Sequence, residues 1–195
     1  MLGSWDDFTP TCCGIAAAVL SISVETSIYY AFTEYRLPLT FGQQAFALFG
    51  FPEEILKYLS LAMVSQLNAS GRRVVKNGIF CGIGFASIEN FLYTVGFLHS
   101  IADTGVFAAA SLLRFFLPFM MHSVTGPILV SGHCIKGFRP VGGISLAVLF
   151  HGTYDTVASS SSLNTVGIEV IFLLFGFVAA ALIYRNAKDT RESGQ

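Results

Sequence analysis

Charged side chains are scarce in this sequence. Only 12% of its 195 residues are Asp, Glu, Lys or Arg, whereas hydrophobic residues make up 53%. Soluble domains carry about 25% charged residues, so this composition excludes an ordinary soluble fold. The formal net charge of -1 provides no basic surface for nucleic acid. The composition therefore predicts an integral membrane protein whose surroundings are the lipid bilayer.

Cysteine is also scarce, and its spacing is uninformative. The four cysteines, Cys12, Cys13, Cys81 and Cys134, form no Cys-x-x-Cys pair. This pattern supports neither a disulfide scaffold nor a zinc ribbon. The first ten residues contain no Lys or Arg, so they lack the basic start of a cleavable signal peptide. We therefore expect residues 1–195 to form a single integral-membrane domain.

Six apolar stretches are close to the length of about 20 residues that a helix needs to cross the hydrocarbon core. We predict an all-α polytopic membrane bundle of about six transmembrane helices with a central polar cavity. The predicted spans are approximately 12–32, 41–67, 78–98, 106–130, 141–158 and 165–184. Basic residues concentrate in the links 68–77 and 131–140 and in the C-terminal tail. The positive-inside rule therefore predicts that both termini are cytoplasmic.

The second predicted span contains three ionisable residues in a mostly apolar run. Glu53, Glu54 and Lys57 would each cost about 2.5–3.5 kcal/mol at the centre of a membrane helix, so they must be paired, face water or take part in chemistry. Lys57 follows the two carboxylates at i,i+4 and i,i+3, which places a partner on its helical face. Pro52 predicts a break in the helix, which would restart at the carboxylates.

Four predicted spans bring a carboxylate or an imidazole close to the middle of the membrane. Each of these residues lies within about four residues, or roughly 6 Å, of its span's midpoint, since a helix rises about 1.5 Å per residue. They are Glu53 and Glu54, Glu89, His122, and His151. Ionisable groups inside membranes usually face the interior of a bundle. The pattern therefore predicts one polar site built by four helices.

These residues form four ordered motifs, each in its own predicted span. The motifs are Glu53-Glu54-x-x-Lys57, Phe85-x-x-x-Glu89-Asn90, Arg114 two turns before His122, and His151-x-x-x-Asp155. Their order resembles that of the PrsW family of intramembrane proteases over about residues 46–157. That family is distantly similar to the CAAX prenyl endopeptidases and to the multi-pass scaffold subunit of γ-secretase. Two features depart from the pattern: Asp155 stands where the wider superfamily commonly has Asn, and the chain is short.

The resemblance implies hydrolysis of a peptide bond within the cell (inner) membrane. In bacteria the substrate of this family is typically a single-pass membrane protein or a membrane-anchored peptide, such as an anti-sigma factor. By motif, the catalytic positions are Glu53, Glu54, Glu89, His122 and His151. The supporting positions are Lys57, Asn90, Arg114 and Asp155.

Two versions of the chemistry remain open. In one, a buried carboxylate of the adjacent pair activates water, while His122 and His151 polarise the water or the carbonyl. In the other, the two imidazoles and Glu89 or Asp155 hold zinc, which takes three protein ligands and leaves one position open. The order of the ligands is not that of an HExxH motif, so the residues alone do not distinguish the two versions.

Functions of other classes also remain open. A non-catalytic multi-pass scaffold would use membrane histidines to hold its helices together, but it would not need three carboxylates at mid-membrane. A proton or cation carrier could use the same carboxylates as a relay, yet only one helix break is predicted where a carrier would repeat such breaks. Two further carboxylates, Glu25 and Glu169, are interpreted as locally paired or interfacial groups. We therefore favour the intramembrane endopeptidase.

Overall fold

The computed structural model describes residues 5–36, 40–69, 71–98, 104–159 and 163–187. Side chains at 5–7, 41, 96–98, 104–115 and 163–165 lie outside this description. The helices are α1 (Trp5–Glu34), α2 (Phe41–Gln44), a π-helical turn (Ala45–Gly50), α3 (Phe51–Met63), a 3-10 turn (Gln66–Asn68), α4 (Gly71–Leu98), α5 (Thr104–Cys134), α6 (Pro140–Ala158) and α7 (Leu163–Asn186). The described part of the chain contains no strand, which confirms the all-α prediction.

Three helices within the described residues are long and apolar enough to cross a membrane. They lie at Phe8–Glu34 in α1, Gly71–Val95 in α4 and Val166–Asn186 in α7. The chain is therefore an integral membrane protein. The helix α3 differs from these three, because it has 13 residues and carries three ionisable groups. Crossings by the predicted spans 41–67, 106–130 and 141–158 stay predictions.

Helices extend beyond the predicted spans at their basic ends. The predicted link 68–77 is wrong from Gly71 onward, because α4 begins there and carries Arg72, Arg73 and Lys76 on its first two turns. Likewise, α5 continues to Cys134. Hydropathy identifies the part of a helix that suits hydrocarbon, whereas the helical hydrogen bonds continue into the polar interface.

The predicted helix break before the carboxylates is a change of helix type. Gly50 (φ -52°, ψ -46°) and Phe51 (φ -74°, ψ -54°) both keep right-handed helical dihedrals, so the chain does not leave the helix. The π-helical turn ends where Pro52 occupies the first turn of α3, a position that needs no N–H donor. The prediction of an interruption was correct in position and wrong in kind.

Glycines bring α4 and α5 into backbone contact. Gly78 and Gly126 face each other so closely that a Cβ on either would lie 2.5 or 2.0 Å from the other's carbonyl oxygen. One turn further along α4, a Cβ on Gly82 would lie 2.0 Å from the carbonyl oxygen of His122. Small residues allow membrane helices to approach in this way. The contact fixes the position of His122 along the axis of α4. Glu89 lies two turns beyond Gly82 on that helix.

Candidate active site

The predicted catalytic residues meet in the interior, where α3, α4, α5 and α6 come together. Lys57, Glu54 and His122 are completely buried, and His151 is 1% exposed. Glu53 is 4% exposed. A cluster of ionisable groups at this depth must satisfy itself through internal pairing, because water does not solvate it.

Lys57 is the cation of the cluster. Its Nζ donates hydrogen bonds to Glu54 Oε1 and to His122 Nδ1, both at 2.7 Å. The ammonium also lies 4.0 Å from the centre of the Phe85 ring, within the range of a cation–π contact. Glu53 Oε2 is more distant, at 3.8 Å from Nζ. Helical spacing allowed both carboxylates as partners, and the structure pairs Lys57 most closely with Glu54.

The two imidazoles are oriented by opposite kinds of contact. His151 Nδ1–H donates a hydrogen bond to Glu54 Oε1 at 2.9 Å. A neutral ring therefore keeps its lone pair on Nε2. His122 Nδ1 accepts from the Lys57 ammonium, so a neutral ring carries its proton on Nε2, which hydrogen-bonds to Glu89 Oε2. The ring centroids are 5.0 Å apart in an edge-to-face arrangement.

Glu53 Oε2 faces both rings. It lies 3.6 Å from His151 Nε2 and 3.9 Å from His122 Nε2, and it has no hydrogen-bond partner among the described residues. Glu53, His122 and His151 each offer a ligand atom, and these atoms lie within 4.8 Å of one another. This group could therefore hold a metal ion. The sequence placed Glu89 with the two imidazoles instead; Glu89 contacts His122, and its part in metal binding stays a prediction.

Two cavities reach this cluster, and Glu53 and Glu89 line both of them. The larger has a volume of about 390 Å³ and is bordered by residues of α6 and α7 as well. The smaller, of about 220 Å³, is bordered by α1. Glu54, His122 and His151 line neither of these two cavities. Of the adjacent pair of carboxylates, Glu53 and not Glu54 is therefore the one that a water molecule or a substrate would meet.

The predicted supporting residues differ in their access to the larger cavity. Asp155 lines the larger cavity, and its Oδ2 lies 3.3 Å from His151 Nε2. Asn90 is buried beside Glu89 in α4, but it lines neither of the two cavities. Arg114 belongs to α5, and its side chain is outside the described residues, so its role stays a prediction.

Two carboxylates outside the predicted site residues also line the cavities. Glu169 of α7 is 6% exposed, accepts a hydrogen bond from the Tyr154 hydroxyl at 3.5 Å and lines the larger cavity. Glu25 of α1 lines the smaller cavity beside Ser21. Both lie inside predicted spans. Because an ionisable group in a membrane span usually faces the bundle interior, the position of each within a predicted span was already a signal, as it was for Glu89.

The fold and the site together define a polytopic helical membrane protein with a buried carboxylate–histidine centre. The chain belongs to the PrsW family: the family's sequence model, described as "PrsW family intramembrane metalloprotease", matches residues 10–183. This confirms the resemblance found in the sequence and extends it toward both ends of the chain.

A curated relative has the same family name. The chain is 35% identical over 147 residues to Protease PrsW of Shouchella clausii (strain KSM-K16). The match covers 68% of this chain and 62% of the relative, so the chain spans less than two thirds of that protein's length. No solved structure matches the chain.

Proposed function

We propose that the chain is an intramembrane endopeptidase that hydrolyses a peptide bond of a membrane-anchored substrate, such as a single-pass membrane protein. The observation that carries this proposal is Glu53 Oε2, a buried oxygen that has no hydrogen-bond partner among the described residues, faces two imidazoles and borders a cavity of about 390 Å³. A water molecule occupies about 30 Å³, so the cavity has room for water beside a peptide segment. The name of the curated relative and the family description support the same activity.

Glu53 is the general base in this proposal. A base must reach the attacking water, and Glu53 lines both cavities while its Oε2 accepts no hydrogen bond from the part of the chain that the structure describes. Glu54 is a positioning residue instead, because it lines neither cavity and its Oε1 is held by Lys57 and His151. Glu53 takes a proton from water as the oxygen attacks the carbonyl carbon, and it later gives this proton to the leaving nitrogen.

His122 is the electrophilic partner. Its Nε2 points toward Glu89 on the cavity wall. A substrate carbonyl oxygen that displaced Glu89 would receive the Nε2–H hydrogen bond as negative charge develops there. Lys57 holds the other ring nitrogen at 2.7 Å, which fixes the ring and adds positive charge behind it. A donor fixed in advance stabilises the transition state without reorganisation.

A metal-dependent version replaces the two roles above: the group Glu53, His122 and His151 fits a divalent metal ion, for which we propose zinc, and Glu53 and His122 would then be ligands instead of base and hydrogen-bond donor. Two imidazole nitrogens and one carboxylate oxygen match zinc's preferred ligands, with one position left open. Glu54 accepts a hydrogen bond from His151 Nδ1, so a neutral ring presents its Nε2 lone pair to a metal; Asp155 Oδ2 lies 3.3 Å from this nitrogen. His122 carries its proton on Nε2 when it accepts from Lys57, so metal uptake would release a proton. A bound zinc ion supplies an activated water and polarises the carbonyl.

We propose that the protein lies in the cell membrane with both termini on the cytoplasmic side. Exposed basic residues concentrate where α4 begins, where α5 leads to α6 and where α7 ends: Arg72, Arg73, Lys76, Lys136, Arg139 and Arg185. Alternating crossings bring these three segments to one side, and the positive-inside rule assigns that side to the cytoplasm.

The activity is tested with purified protein in vesicles that also contain a panel of single-pass membrane peptides, with new peptide termini read by mass spectrometry. We expect cleavage by the wild type and a loss of at least about 10²-fold in Glu53→Gln, since a general base is removed. Glu34→Gln, the same change at an exposed end of α1, should retain activity. A wild type that cleaves no peptide would reject the proposed function, and a fully active Glu53→Gln would reject the role of that residue.

The metal is tested by elemental analysis of the same preparations. The metal-dependent version predicts zinc in the wild type and its loss in His151→Asn, which removes a ligand and keeps a side chain of similar polarity. His133→Asn is the matched control, because His133 contacts Tyr58 and lies outside the group of three ligands. Equal zinc content in His151→Asn and His133→Asn would exclude this metal site.

A further inference from the structure

The smaller cavity lies between α1 and α4 and reaches the site at Glu53. Ala18, Ser21 and Glu25 of α1 and Phe85 of α4 are part of its wall. In the described structure no residue of α1 lines the larger cavity, which extends toward α6 and α7 instead. The two cavities therefore approach Glu53 from different sides of the bundle.

Two carboxyl groups in the wall of the smaller cavity each have a buried oxygen that lacks a partner. Glu25 Oε1 and Glu53 Oε2 form no hydrogen bond with any residue in the described ranges. A buried oxygen without a partner is costly whether its carboxyl group is charged or neutral. Buried polar atoms that no protein group satisfies usually bind ordered water.

The cavity has the size and the polar groups that water requires. Its volume is about 220 Å³. One water molecule takes up about 30 Å³ in the liquid, so the cavity has room for several. Ser21, Glu25 and Glu53 place oxygen atoms on its wall from two helices. A lipid chain in the same space would leave both carboxyl oxygens without a partner, so water is the occupant that the wall favours.

Hydrolysis needs a supply of water at Glu53 while the substrate is bound. Each reaction adds one water molecule to a peptide bond: the water oxygen bonds to the carbonyl carbon, the C–N bond breaks, and a proton goes to the leaving nitrogen. A peptide segment in the larger cavity would fill the space on that side of Glu53. Water in the smaller cavity can still reach Glu53, because it comes from the side of α1.

We propose that the smaller cavity is the water site of the enzyme and that Glu25 is a positioning residue, which holds water for the attack. The proposal rests on the endopeptidase function and deepens it. Glu25 acts through water and does not touch the substrate, so its side chain has to form hydrogen bonds but need not be charged. Gln keeps this ability at nearly the same shape, whereas Leu has none.

The kinetic test compares these two substitutions in the vesicle assay. We expect Glu25→Leu to lower kcat by about tenfold, as the loss of a hydrogen bond to the attacking water predicts, with KM for the peptide unchanged. Glu25→Gln should recover most of kcat. Glu34→Leu, the same change at the exposed end of α1, should keep the wild-type values of both constants.

The outcomes separate this inference from the function on which it rests. A wild-type kcat in Glu25→Leu, or a kcat in Glu25→Gln as low as in Glu25→Leu, would reject the role of Glu25 and leave the endopeptidase standing. A wild type that cleaves no peptide would reject the endopeptidase instead.

X-ray radiolysis tests for the water without any substrate, because hydroxyl radicals oxidise side chains that lie next to bound water. Phe85 lines the smaller cavity and is 1% exposed, whereas Phe91 on the same helix is 63% exposed within an apolar span. Mass spectrometry of the wild type irradiated in lipid vesicles should show more oxidation at Phe85 than at Phe91. Ala18→Leu, which fills the cavity, should remove the Phe85 signal, and Ala16→Leu at an exposed position should keep it. Oxidation of Phe85 no greater than that of Phe91 would exclude the water site.

Discussion

Replacing Lys57 with Met tests whether the buried ion pair holds α3 to the rest of the cluster. The ammonium is fully buried and donates to Glu54 and to His122, both at 2.7 Å. Met has a similar length and no charge, so the change leaves the Glu54 carboxylate in the interior without its cation and with only the hydrogen bond from His151. Removal of one member of a buried pair costs about 3–5 kcal/mol. This is a large share of the roughly 5–15 kcal/mol by which proteins are stable.

The double variant separates charge pairing from packing. Glu54→Gln alone should cost about as much as Lys57→Met, because it leaves a buried cation. The double variant Glu54→Gln/Lys57→Met contains neither charge of the pair, so we expect it to cost no more than either single change. Independent effects would instead sum to about 6–10 kcal/mol.

The assay is equilibrium unfolding of the four proteins in detergent micelles, with Lys76→Met as the matched control. Lys76 is exposed near the start of α4, so the same change there should have little effect. Costs that add to within about 0.5 kcal/mol would show that Lys57 and Glu54 do not interact. A cost of Lys57→Met no larger than that of Lys76→Met would contradict the pair altogether.

Two further predictions concern helix contact and orientation. Gly82→Ala places a Cβ 2.0 Å from the His122 carbonyl oxygen, so α4 and α5 must separate, and we expect lower thermal stability and lower activity. Gly167→Ala is the control, because nothing lies within 4 Å of a Cβ there, and it should change neither property. A Gly82→Ala protein as stable and active as Gly167→Ala would contradict the helix contact. Asn68 begins an Asn-Ala-Ser glycosylation acceptor on the cytoplasmic side of the proposed topology. Expression in a glycosylating membrane should therefore leave Asn68 unmodified. A mass shift from a glycan would show the opposite orientation.

Periodicity and depth predicted which helices carry the site. Because helix rise is constant, the sequence positions of Glu89, His122 and His151 set their level in the membrane, and the structure places their side chains around one cluster. The i,i+3 relation between Glu54 and Lys57 is likewise a property of the helix alone, and it is present as a 2.7 Å contact.

Periodicity could not assign different roles to the two adjacent carboxylates. Both carboxylates are within reach of Lys57. They differ in that Glu54 Oε1 accepts a hydrogen bond from His151, which lies 97 positions further along the chain. The α3 rotation that brings Glu53 to the cavities follows a π-helical turn, and no hydropathy pattern reveals either feature. Whether Glu169 reaches the larger cavity likewise depends on how α7 packs against α6, since it lines that cavity beside Tyr154.

The placement of three ionisable groups in α3 also has a consequence for how the chain enters the membrane during synthesis. An isolated span over 41–67, with Glu53, Glu54 and Lys57 near its centre, would incur about 7.5–10.5 kcal/mol on insertion, at about 2.5–3.5 kcal/mol for each group. The internal contact between Glu54 and Lys57 offsets only part of this, because His122 and His151 supply the remaining partners and are translated later. We therefore expect α3 to stay within the insertion machinery, or at the water interface, until α5 and α6 have emerged. Biogenesis of this protein would then be a cooperative event spanning most of the chain, instead of a succession of independent helices.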